Sequence, residues 1–266
     1  MNIKSEVKRK SLFCRGSVKS VFSKTKSVHN IYHACIQKTG SQWVKAILSD
    51  KRVITKSGLR IHPQFRYEMG NFKSKFPKYT VVPGLYIPYH LYREIEKPKK
   101  YKTIYIIRDP REVVISWYHS MKYTHGLMGS VPIHRKRLKK VNKEEGVKYC
   151  INHLQWKFSF VRSWINNSNQ GEILIVRFED ITENPIDEWQ KIFQHCKINI
   201  NKNETKKILQ SYTKEKMRKK DLNKRSKSKS HYRRKKEEWE DVFTPEHINT
   251  FKNVNGNIVE ELGYRW

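Results

Sequence analysis

Residues 102–109, KTIYIIRD, form a nearly unbroken run of β-branched and aromatic side chains. Such a run is a strand buried on both faces, the place of a central strand in a parallel sheet. Pro110 follows, and REVVISWYHSMKY continues with helical spacing. The strand therefore turns directly into a helix whose first position is proline. The pattern recurs. IYHACI (31–36) is a short apolar run, QKTGSQ breaks it, and WVKAIL (43–48) has helical character. VVPGLYIPYH (81–90) reads as a strand punctuated by Pro and Gly, and LYREIEK (91–97) as a helix stopped at Pro98. CINHLQWKFSFVRSWINN (150–167) is an amphipathic helix with Leu154, Phe158, Val161 and Ile165 near one face. GEILIVRFED (171–180) is a second buried strand, and helices follow over 184–196 and 203–212. A last helix starts at Thr244 as N-cap with Pro245 behind it. Residues 124–145, polar and basic with Gly126, Gly129 and Pro132, read as a long surface loop. Strands alternating with helices predict an α/β fold, a mostly parallel central sheet flanked by helices on both faces. Ligands of such sheets bind at the carboxyl ends of the strands.

A length of 266 residues suits one α/β domain. Residues 1–29, rich in Lys and Ser, read as a basic N-terminal arm, and 30–266 as a single domain. Aromatic residues at 12% argue against a disordered chain. The net charge of +31 excludes an acidic solvating protein and implies an anionic partner. No apolar run is long enough to span a membrane, and the N-terminus has no apolar core of a secretory signal. Cys14, Cys35, Cys150 and Cys196 are too scattered for a metal knuckle or a disulfide framework. The expected compartment is the reducing cytoplasm, with no metal.

Two segments place anion chemistry at strand ends. In QKTGSQW, Gly40 lets the backbone approach an anion, the following helix presents free N–H groups, Lys38 supplies charge and Ser41 a hydroxyl. The GxxxxGK[ST] pattern of a Walker A loop is absent, and alone the segment also reads as an ordinary strand-to-helix turn. In RDPREVVIS, Arg108 ends the strand and Ser116 follows two helical turns later. Alone it also reads as an Arg–Asp surface pair at a helix start.

Together they carry a resemblance. KTGSQW resembles the PKSGTTW element of sulfotransferases that use 3′-phosphoadenosine 5′-phosphosulfate (PAPS), and RDPREVVISWYH resembles their RDPRDVVVSxYH element. Weaker matches follow in order: WKFSFVRSW, ILIVRFEDITENP, SYTKEKMRKK and EEWEDVFTPEH. The resemblance spans about residues 30–266 and implies a three-layer sandwich like that of the P-loop nucleoside triphosphate hydrolases. It implies PAPS as donor and adenosine 3′,5′-bisphosphate (PAP) as product. Lys38 and the backbone of Thr39, Gly40, Ser41, Gln42 and Trp43 would hold the 5′-phosphate and sulfuryl group. Trp43 and Phe178 would border the adenine, and Arg108 and Ser116 would bind the 3′-phosphate. A planar guanidinium fork suits that phosphate.

The resemblance places a general base at His90, 18 residues before Arg108. The surrounding IPYHLY departs from the family's KTHLP, with Pro88 in place of Lys. Glu94 and His125 are the fallback bases, while His119 matches a site-lining position. HYRRKKEEW (231–239) lacks both glycines of the family's RKGxxGxW, so Arg233, Arg234 or Lys235 would reach the 3′-phosphate in a register the sequence leaves open. The basic segment 214–236 and the cluster HRKRLKK (134–140) exceed what a donor needs. They read as attraction for an anionic acceptor, as RNA or membrane-surface binding, or as plain lysine bias. The expected acceptor is a hydroxyl or amine of a small molecule, lipid or glycan, its identity and the oligomeric state left open. One alternative is a basic phosphate- or nucleic-acid-binding protein without catalysis, unsupported by any RNP, KH or zinc-finger signature. Another is a nucleotide-kinase-like enzyme, against which the absent Walker pattern counts.

Overall fold

In a computed structural model of the chain, residues 27–63, 67–68, 74–167, 171–224 and 237–266 are described. The first half comprises β1 (Asn30–Cys35), α1 (Ser41–Leu48), α2 (Lys51–Ser57), β2 (Arg60–Ile61), β3 (Tyr67–Glu68), β4 (Thr80–Tyr86), α3 (Tyr89–Glu94), β5 (Tyr101–Ile107) and α4 (Pro110–His119). A π-helical turn (Ser120–Thr124) prolongs α4 and leads to α5 (Val131–Lys140) and the long α6 (Lys143–Ile165). The remainder is β6 (Ile173–Arg177), α7 (Phe178–Glu183), α8 (Pro185–His195), α9 (Lys202–Gln210), α10 (Lys214–Lys224), α11 (Pro245–Asn255) and α12 (Ile258–Glu261).

The sheet runs β2-β4-β1-β5-β6, with β3 also pairing with β4, and each described pairing is parallel. Alternation along the strands builds two cores. Tyr32, Ala34, Tyr105 and Ile107 face α4, α6 and α11. Ile31, Cys35, Ile104 and Ile106 face α1, α2, α8 and α9. The chain leaving β1 thus covers one face and the chain leaving β5 the other. A crevice opens where neighbouring strands send their connections to opposite faces, here between β1 and β5.

β4 carries Pro83–Gly84 in its middle, with Gly84 at φ 71°. Its register against β1 shifts from Tyr32↔Val82 to Ala34↔Leu85. The bulge accommodates a residue without an N–H and returns Leu85 to the same core as Val82.

Two expectations are corrected. Residues 124–145 are not a long loop, because α5 and the start of α6 occupy most of them. Val131, His134 and Leu138, at helical spacing, dock α5 through a thin apolar stripe among basic residues. His90 is not at a strand end. β4 stops at Tyr86, and Pro88, extended at ψ 163°, caps α3, so His90 is the second residue of a helix.

β1 also buries His33 completely, with neither ring nitrogen hydrogen-bonded. Burial, and then the charge of Lys45, push its pKa down to about 3. As pH falls through the ordinary histidine range, the unfolded chain takes up a proton that the folded chain refuses. Stability is therefore lost between about pH 6.5 and 3. At pH 4.5 this amounts to about 3 kcal/mol for a buried imidazole. Urea unfolding at pH 7.5 and 4.5 should show the wild type losing about that much more than His33→Leu. Equal losses in both proteins would refute it.

Candidate active site

The loop after β1 is wound tightly. Lys38 has φ 78° and Gly40 φ 76°, both left-handed. A non-glycine residue holds that conformation at a cost of about 1–2 kcal/mol when its surroundings demand it. Here the Lys38 carbonyl is gripped by Arg108 from the end of β5, whose Nη1 donates to it at 3.0 Å. The Thr39 hydroxyl donates to the Ile36 carbonyl at 2.9 Å, closing the turn. Ser41 is buried and shares a 3.0 Å hydrogen bond with the Tyr86 hydroxyl at the end of β4. Gly40 caps α1 with no side chain, and the first turn holds no acidic residue. An uncapped, acid-free helix start suits an anion. Gly40 is also required sterically, since a Cβ there would lie 2.2 Å from Phe178 Cε2.

Phe178, the first residue of α7, lies between Gly40 and Arg108, its ring centroid 5.0 Å from Arg108 Cζ. Trp43 meets it edge-on at 6.5 Å and Trp189 at 5.9 Å, and its indole N–H donates to the Tyr212 carbonyl at 2.9 Å. Gln42 is exposed.

The two arginines of RDPR have separate duties. Arg108 Nη2 donates to Glu112 Oε2 at 2.9 Å, and the pair is almost buried. Its Nε is buried with no hydrogen-bond partner. An orphaned guanidinium donor beside an uncapped helix start is what a bound phosphate would satisfy. Arg111 instead pairs with Asp109, the N-cap of α4, at 2.7 Å and lies over Trp239 at 3.8 Å and Trp266 at 4.9 Å. The Arg–Asp pair is thus a buried one, made by Arg111, and not a surface pair made by Arg108. Glu112 Oε1 accepts the Trp239 N–H at 3.0 Å, which ties the C-terminal segment to α4 next to Arg108. Ser116 is half-buried further along α4. Arg233, Arg234 and Lys235 lie outside the described residues, a few positions before Glu237.

His90 is exposed in α3, four residues past the end of β4, the strand next to β1 in the sheet. Its mount is rigid. Trp164 of α6 donates its indole N–H to the Ile87 carbonyl at 2.9 Å, and the Ser163 hydroxyl accepts the Tyr89 N–H at 3.0 Å. Glu94 is exposed one turn after His90. His125 bonds the Gly126 carbonyl at 3.0 Å. His119 meets Glu237 at 2.9 Å, and Lys143 meets the same carboxylate at 3.1 Å. Among the described residues no group of His, Cys, Asp and Glu could hold a metal ion.

Two residues of this region escape sequence reading. Glu112, to which the sequence reading assigns no role, is buried and links Arg108 to Trp239. Lys157, to which the sequence reading assigns no place, is 3% exposed, and its Nζ donates to Gln37 Oε1 at 2.5 Å. The available signal was its place in the 154, 157, 158, 161 stripe, which is the apolar face.

A family model described as "Sulfotransferase domain" matches residues 31–263. The chain belongs to the sulfotransferase family. No curated protein sequence matches it significantly. Solved structures with the same fold include mouse sulfotransferase SULT7A1 complexed with PAP, at 17% identity and TM-score 0.62, covering 88% of this chain and 85% of that one. Retinol dehydratase in a complex with retinol and PAP matches at 13% identity and TM-score 0.58, covering 92% and 84%. A putative steroid sulphotransferase of Arabidopsis thaliana matches at 14% identity and TM-score 0.52, covering 96% and 82%. The parallel sheet and two helical layers of this sulfotransferase are thus those of its family. Among its described residues no helix is long and apolar enough to cross a membrane.

Proposed function

We propose that this sulfotransferase takes its sulfuryl group from PAPS and passes it in line to a hydroxyl or amine, with His90 as general base. The observation that supports the reading is the Arg108–Lys38 bond, which joins the loop after β1 to the end of β5. Two of the structural neighbours described above were crystallised with PAP, the matching product. Lys38 and the N–H groups of residues 39–43 hold the 5′-phosphate, Arg108 and Ser116 the 3′-phosphate, and Phe178 and Trp43 border the adenine. Arg233, Arg234 or Lys235 adds charge to the 3′-phosphate. As the acceptor oxygen or nitrogen bonds to sulfur, the bond from sulfur to the phosphate oxygen breaks and the acceptor's proton passes to His90. Lys38 stabilises the charge growing on that oxygen, and PAP leaves. Positioning and charge stabilisation suffice, without a covalent intermediate.

The free, buried thiols of Cys35, Cys150 and Cys196 support a reducing, cytoplasmic setting. The test is transfer of labelled sulfate from PAPS to a broad acceptor panel. Transfer should require PAPS and be lost in Lys38→Ala and His90→Ala. No transfer from a protein that also fails to bind PAP would defeat the reading.

A further inference from the structure

The basic cluster 134–140 lies in α5, and the helix sorts it into two sides. Val131, His134 and Leu138 are buried. Ile133, Lys136, Arg137 and Lys140 stand at i, i+3, i+4 and i+7, so they share the opposite side, and all four are exposed. Ile133 is 71% exposed in the middle of this basic face. Leu127, 69% exposed, and Met128 lie in the connection leading into α5. Of six large apolar side chains exposed among the described residues, four (Tyr123, Leu127, Met128 and Ile133) fall within residues 123–133. Scattered singly, such residues are ordinary, but a cluster marks a contact surface.

The fold holds this cluster in place. Arg135 turns inward, its Nε donating to the Met121 carbonyl at 2.9 Å and its Nη2 to the His125 carbonyl at 2.6 Å. It thereby clamps the chain before Leu127 onto α5. The Val131 N–H donates to the Met128 carbonyl at 3.1 Å, and His134 meets the Tyr149 hydroxyl of α6 at 2.7 Å. The charge beside the apolar tips has one sign. Between Glu112 and Glu144 the chain has seven Lys and Arg and no Asp or Glu. The complementary partner is anionic and also takes apolar side chains out of water. A nucleic-acid backbone satisfies the cations but offers Leu127 and Ile133 only hydrated phosphates. An anionic bilayer offers headgroups to Lys136, Arg137 and Lys140 and an acyl boundary to Leu127 and Ile133.

We propose that the exposed face of α5, with Leu127 and Ile133 as its apolar tips, docks this protein peripherally on an anionic membrane surface. The test is co-sedimentation of the full chain with vesicles of phosphatidylserine and phosphatidylcholine in equal parts, beside vesicles of phosphatidylcholine alone, at about 0.15 M salt. The wild type should bind the first and not the second. A net charge of +31 draws the chain to any anionic surface, so matched variants locate the contact. Lys136→Gln/Arg137→Gln/Lys140→Gln should weaken binding about 100-fold, at about fivefold for each cation near the surface. Lys51→Gln/Lys206→Gln/Lys207→Gln removes the same charge from exposed positions of α2 and α9, which cover the other face of the sheet. It should weaken binding no more than about threefold, since those cations lie beyond a Debye length from the docked face. Leu127→Ser/Ile133→Ser keeps every charge and should still weaken binding at least about tenfold, the worth of two partly buried apolar side chains. Both positions are exposed, so an unchanged Tm is expected. Equal losses in the two charge variants, or wild-type affinity in Leu127→Ser/Ile133→Ser, would overturn the proposal. So would a single-stranded oligonucleotide that loses its affinity for the α5 charge variant while the vesicles keep theirs, which would assign the face to nucleic acid.

Discussion

Lys38→Gly should turn over PAPS about 10²–10³-fold more slowly than wild type, the usual cost of removing one preorganised group at developing charge. Glycine is the informative replacement. Lys38 holds φ 78°, and alanine there would mix loss of the ammonium with backbone strain, whereas glycine takes that conformation freely. The carbonyl that Arg108 Nη1 grips is main chain and survives the change. PAP affinity should therefore fall far less than the rate, because the ammonium acts mostly on charge that grows as the sulfur–oxygen bond breaks. Single-turnover PAP release beside calorimetric PAP binding measures the two effects. A loss shared equally between rate and affinity would assign Lys38 to ground-state binding alone.

His90→Gln should lower the transfer rate about 10²–10⁴-fold, the range for a positioned general base, with PAP affinity unchanged. The side chain is exposed and its helix is held through Trp164 and Ser163, contacts the substitution does not touch. Stability should shift by no more than about 0.5 kcal/mol, as for an ordinary surface change. Should His90→Gln keep its rate while Glu94→Gln loses it, the base is the carboxylate one turn further along α3.

The central architecture was legible because burial on both faces leaves a mark in sequence. KTIYIIRDP announces a two-sided strand running into a proline-started helix, and both QKTGSQ and RDPRE stand at carboxyl ends of neighbouring strands as expected. α5 was hidden because only Val131, His134 and Leu138 bury themselves in a helix that is otherwise basic. β2 and β3, two residues each, are too short to carry a period. The mounting of His90 escaped because Pro88 serves as a helix cap where Pro and Gly punctuation had read as strand. Lys157 and Glu112 escaped for a common reason. A charged residue is normally solvated, and nothing local reveals that its partner comes from an element more than a hundred residues away.

The claim beneath all of this is that the crevice between β1 and β5 grips a nucleotide at both its phosphates. Calorimetric titration with PAP and with adenosine 5′-phosphate tests it directly. PAP should bind at least about 100-fold more tightly, the worth of two charge-assisted hydrogen bonds, and Arg108→Leu should erase most of that difference. Equal affinity for the two nucleotides, or a preference that persists without the Arg108 guanidinium, would contradict it.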